Sequence, residues 1–116
     1  MSNKLHRILG SIAALAGAAG VGLLSFAAHG TSDEISASRL HTAGLILLIH
    51  ALATLVSLGQ NNKWPALLFL PGALLFALAM ILFVFAPGMY VQGLAPTSGI
   101  ALLAGWLVLA WSKYAD

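Results

Sequence analysis

The chain has no cysteine, and among its 116 residues there are only five Lys or Arg and three Asp or Glu. Without cysteine there is no disulfide framework, no thiolate metal site and no Cys nucleophile. With so little charge there is no way to cover a water-facing surface, which excludes an ordinary soluble domain. Five scattered cations are also too few for a nucleic-acid footprint, so no nucleic-acid partner is expected. The sequence contains no HExxH, no GxSxG, no glycine-rich phosphate loop and no paired carboxylates within an apolar run. Catalysis has no visible seat, an enzyme is not expected, and no cofactor is called for.

What is present is apolar: 60% of the residues are hydrophobic and the mean hydropathy is +0.98. Such a chain takes the lipid bilayer as its solvent. The hydrophobic pattern predicts an all-α fold, an integral membrane bundle of four transmembrane helices in one domain, 1–116, with helices near 8–29, 38–58, 65–85 and 97–112.

The first of these runs, ILGSIAALAGAAGVGLLSFAAH, is rich in Gly and Ala and closes on His29. A positively charged start and the small residues Ser25 and Ala27 imitate a secretory signal. Signal cores extend over about 7 to 15 residues, however, and this run is of membrane-spanning length, so it is expected to be an uncleaved helix. On a helix, residues three and four apart share a face. Ser11, Ala14, Ala18, Gly22, Ser25 and His29 therefore lie along one strip, with Gly10, Ala13, Gly17 and Gly20 on a second strip beside it. Helices in lipid associate through close backbone approach, which small residues permit. Two small strips predict that the first helix sits at the centre of the bundle.

The following segments have recognisable punctuation. Gly30 and the polar stretch after it form a loop, with Ser36 or Ser38 as the expected cap of helix two. Lys63 and Trp64 are an interfacial anchor, and Pro65 suits a helix start. Pro71-Gly72 inside helix three predicts a kink. Helix four repeats the small-residue theme with Ser98, Ala101 and Gly105 on one face. Four crossings place Lys4, Arg7, Lys63 and Lys113 at one end and Arg39 alone at the other. The excess of cations on the cytoplasmic side then predicts that both termini are cytoplasmic.

Few polar groups fall at membrane depth, and an ionisable one there is a functional hypothesis by default. His50 is the clearest, and it is the candidate cofactor-binding residue for haem, quinone or proton handling. Its structural alternative is a neutral imidazole hydrogen-bonded to a neighbouring helix, to a Ser or to a carbonyl freed by Pro71. Nine residues separate it from His41, about 13 Å of rise and opposite helix faces, so the two cannot share a metal. His29, His41, Asp33 and Glu34 are a candidate metal set at the outer end, against the plainer reading of a solvated polar loop.

Three segments together resemble the YgdD-like family of small four-helix bacterial inner-membrane proteins of unknown function. They are SFAAHG from Ser25, HALA from His50, and APTSGIALLAGW from Ala95. They correspond to the family's GAFGAH, H(A or T)LA and TPxGGxxxxxGW, in the same order and over nearly the whole chain. The resemblance implies the same fold, and it carries over His29, His50, Pro96, Gly99 and Gly105 as family positions without a known role. This chain departs where the family tends to place Tyr-Gln before the helix-two histidine and Ser-Gly-Ser in helix three, having Leu47-Leu48-Ile49 and Phe76-Ala-Leu-Ala. Two functions are compatible with these features. One is a non-enzymatic accessory or assembly subunit of a larger membrane complex, contacting other membrane subunits through the lipophilic third helix and the aromatic ends. The other is a self-contained or homo-oligomeric bundle holding a lipid, quinone, haem or ion at His50 or at the His29/His41 end.

Overall fold

The computed structural model describes residues 3–115; Met1, Ser2 and Asp116 lie outside the described residues. Among the described residues are four α-helices, α1 (Asn3–His29), α2 (Glu34–Gly59), α3 (Lys63–Phe85) and α4 (Leu94–Ala115), with a short 3₁₀ turn at Pro87–Met89 before α4. Each α-helix is long and apolar enough to cross a membrane.

Polar residues set the helix starts. Asp33 is the N-cap of α2: its carboxylate accepts the Ser36 N–H at 3.1 Å and the Ser36 hydroxyl at 2.6 Å. The cap is therefore not Ser36 or Ser38. A carboxylate satisfies the orphan amides of a first turn and is also favoured by the helix dipole, and Ser36 becomes its donor. Asn62 caps α3 by accepting from the Trp64 N–H, and Asn61 turns the chain in a left-handed conformation at φ 57°. Pro65 and Pro96 are both the third residue of their helices, where a missing N–H costs nothing. All four helices start earlier than the apolar runs do: flanking polar residues enter the first turns of α1, α2 and α3, whereas α4 takes in Leu94, Ala95 and Pro96. Helix α3 runs on through Pro71.

Each helix packs against the next, α1 on α2, α2 on α3 and α3 on α4. The contacts descend in register, Gly10 to Leu58, Gly17 to Ala51 and Gly20 to Gly44, so neighbours are antiparallel. The molecule measures 47 × 25 × 22 Å.

The expected central position of α1 is not observed. Its packing is almost all on α2, with a minor contact to α3 near Phe26 and Phe85. The middle of the molecule is α2 and α3, which supply its largest fully buried side chains, Phe69, Leu40, Thr54, Pro65 and Ser57. A helix of Ala and Gly has little side-chain surface to bury, so it lies at a flank. Its two small strips also divide unexpectedly. Gly10, Ala13, Gly17 and Gly20 face α2, and a Cβ on Gly44 would lie 2.8 Å from the Gly20 carbonyl oxygen. The strip expected to pack, Ser11, Ala14, Ala18, Gly22 and Ser25, is exposed along its length, and a Cβ added at Gly22 would meet nothing within 4 Å. Gly44 decides between them: only a glycine facing a glycine allows the two backbones to touch. On α4 the expected strip does face inward, with Ser98 and Gly105 buried and Ala101 half-buried.

Candidate functional site

The buried polar centre of the molecule is His50, 5% exposed on the inner face of α2. Its Nδ1 lies 2.7 Å from the Ile46 carbonyl oxygen one turn back, and its Nε2 lies 3.0 Å from Trp106 Nε1 on α4. An indole nitrogen only donates and a carbonyl only accepts. The imidazole must therefore donate from Nδ1 to Ile46 and accept at Nε2 from Trp106, which is the neutral Nδ1–H tautomer. Thr54 continues the chain of bonds by donating its hydroxyl to the His50 carbonyl at 2.7 Å.

Phe69 of α3 completes this centre. Its ring is 5.4 Å from the His50 ring and 4.9 Å from the Trp106 ring, and His50 and Trp106 are 5.8 Å apart. Three helices thus meet in one aromatic cluster. Glycine makes the room: a Cβ on Gly105 would lie 2.7 Å from the Phe69 ring. One turn further along, a Cβ on Gly72 would lie 2.9 Å from Leu102.

The cluster changes what His50 can do. Ligation of a metal or haem iron requires a free imidazole lone pair, and here the Nε2 lone pair faces an N–H while Nδ1 carries its proton. Metal or haem ligation through Nε2 would therefore require the Trp106 bond to open. The partner is also different from those expected from the sequence, since neither a serine nor a carbonyl near Pro71 is used. Among the described residues, no buried side-chain nitrogen or oxygen lacks a hydrogen-bond partner.

At the other end, the expected metal set does not assemble. Among the described residues no group of three or more His, Cys, Asp or Glu is placed to hold a metal ion. Asp33 is committed to capping α2, and its carboxyl is held below the ordinary carboxylate range by the bonds it accepts from the Ser36 hydroxyl and backbone. Glu34 and His41 are seven residues apart on one helix, about 10 Å of rise. His29 is exposed in the last turn of α1, where a basic residue complements the helix dipole. His41 is likewise exposed, on the face of α2 opposite to His50 as the nine-residue spacing requires.

Trp106 and Phe69 escaped the sequence reading. Trp106 reads as one of several interfacial aromatics, and 56 residues separate it from His50. Its only signal is that an indole N–H at membrane depth needs an acceptor, which His50 could supply.

The fold and this centre define an all-helical, multi-helix protein whose four helices are each long and apolar enough to cross a membrane. No family model and no solved structure matches the chain.

Proposed function

We propose that this protein is a small, non-enzymatic integral membrane protein of the bacterial inner membrane, diverged within the YgdD-like family, and that it serves as an accessory or assembly subunit of a larger membrane complex. The observation that carries this reading is the empty strip on α1. Ser11, Ala14, Ala18, Gly22 and Ser25 are all exposed, while the adjacent strip is consumed by α2. Small residues facing lipid leave a shallow groove that acyl chains fill poorly and a second helix fills well. The buried histidine at membrane depth, His50, is engaged with Trp106 in joining α2 to α4, which favours a part that docks over a catalyst. The exposed aliphatic face of α3, with Leu67, Leu74 and Leu78, adds lipophilic surface elsewhere on the molecule.

The test is native mass spectrometry of the tagged chain extracted from its own membranes, compared with an Ala18→Leu variant that fills the groove. The expected result is co-purification of the wild type with larger membrane subunits in fixed stoichiometry, and loss of those subunits from the variant. Since the chain has no native cysteine, a Gly22→Cys variant adds a clean second readout. A lone wild-type bundle, or a Gly22→Cys chain that crosslinks only to itself, would overturn the accessory role.

A further inference from the structure

A cleft of about 710 Å³ opens between the start of α2, the second half of α3 and the start of α4. Its rim carries Glu34 and Arg39, its sides the hydroxyls of Ser38 and Thr42, and its depth Phe76 and Met80. This size is in the range of clefts that hold a small amphiphile.

The two charges on the rim do not neutralise each other. Among the described residues neither Glu34 nor Arg39 makes an ion pair. The Arg39 guanidinium instead lies 4.4 Å from the centre of the Phe83 ring. Stacking on the ring face leaves the edge of the guanidinium, with its N–H groups, open to a ligand. Five residues of helix set the Glu34 and Arg39 backbones about 7.5 Å apart along the axis. An anion alone would suit Arg39 and be opposed by Glu34. A head group with one negative and one positive centre satisfies both.

We infer that this cleft binds a zwitterionic phospholipid head group of the phosphoethanolamine type. The phosphate takes two N–H bonds from Arg39 in the fork geometry that suits it, and the Ser38 and Thr42 hydroxyls donate to its remaining oxygens. The ammonium is held by the Glu34 carboxylate, and the beginning of an acyl chain lies against Phe76 and Met80. The site is at the end of the bundle where the connection 86–93 lies, the level of the head groups when the helices span a bilayer. It rests on the bilayer placement proposed above and is independent of any partner subunit.

The test uses the full chain purified in a mild non-phospholipid detergent, where partner loss does not affect the result. Native mass spectrometry follows titration with phosphatidylethanolamine, phosphatidylglycerol or soluble phosphoethanolamine. The wild type is expected to retain one phosphatidylethanolamine at on the order of tenfold lower concentration than phosphatidylglycerol. Arg39→Gln should raise that concentration by a similar factor. Glu34→Gln should erase the preference between the two lipids, and Thr42→Trp should block both by filling the cleft. All three substituted side chains are exposed, so the variants should keep wild-type helicity, checked by circular dichroism. Equal retention of both lipids by the wild type, or undiminished binding to Arg39→Gln, would overturn the assignment. Soluble phosphoethanolamine binding as tightly as the lipid would overturn it too, since Phe76 and Met80 would then contribute nothing.

Discussion

Trp106 on α4 donates its indole N–H to Nε2 of His50 on α2 across 3.0 Å, and this one bond links two helices that otherwise pack mainly through α3. Hydrogen bonds between helices in lipid contribute about 0.6 kcal/mol on average and up to about 1.7. Trp106→Phe keeps the ring and removes the donor, so it should destabilise the bundle by roughly that amount. His50→Ala should cost more, because it also opens a cavity beside Phe69. In a double-mutant cycle the two changes together should cost less than their sum. Denaturation in mixed detergent micelles measures this, and strict additivity would mean that the bond contributes nothing.

The close crossing of α1 and α2 separates the two small strips experimentally. Gly44→Ala places a Cβ 2.8 Å from the Gly20 carbonyl oxygen and 2.9 Å from Leu24, contacts that only a shift of backbone relieves. A loss of about 1–3 kcal/mol is expected from such overpacking. Gly22→Ala meets open space and should leave the isolated bundle as stable as before or slightly more so. Thermal unfolding of the two purified variants compares them directly. Equal destabilisation would contradict the assignment of Gly10, Ala13, Gly17 and Gly20 as the internal strip.

Gly105 exists to admit a ring. In Gly105→Ala the new methyl would lie 2.7 Å from Phe69, so the aromatic cluster must separate and the environment of Trp106 must change. Pairing it with Phe69→Leu should recover part of the lost stability, since the shorter side chain vacates the space. Tryptophan emission and unfolding of the single and double variants test this. A double variant less stable than either single one would refute the steric account.

Acid should act on the start of α2 only below the ordinary carboxylate range. Asp33 has its carboxyl pKa lowered from 3.8 by its bonds to Ser36, so its capping contribution is fully present above pH 3.8. It fades as pH falls through the still lower folded value. The protection of the Ala37 amide, whose N–H bonds the Asp33 carbonyl at 2.9 Å, taken relative to its intrinsic exchange rate at each pH, should be constant near neutral pH and fall only in strong acid. Asp33→Asn retains the cap and should remove the acid response.

Orientation is open to labelling in whole cells, because the native chain offers no thiol. With four cations at one end, Gln92→Cys should react with a membrane-impermeant maleimide from the periplasmic side, and Gln60→Cys only after the membrane is opened. The reverse pattern would invert the proposed topology.

The number of helices and their approximate centres were legible from the chain of residues alone. Each apolar run is long enough to span a bilayer, and lipid leaves a backbone no alternative to internal hydrogen bonding. The alternation of direction was legible too, since the connections at 30–33, 60–62 and 86–93 are too short to return a chain across the bundle. The polar character of the end that carries the connection 30–33 and the inward strip of α4 were legible for the same reason: one helix is enough to define a face. Tertiary structure alone decided which of α1's two equivalent strips packs, because the choice depends on Gly44 of another helix. It also decided that His50 bonds to Trp106, and that His29, Asp33, Glu34 and His41 do not gather into a metal-holding group. Helical periodicity places a side chain around its own axis, and it carries no information about which residue of a neighbouring helix will stand opposite.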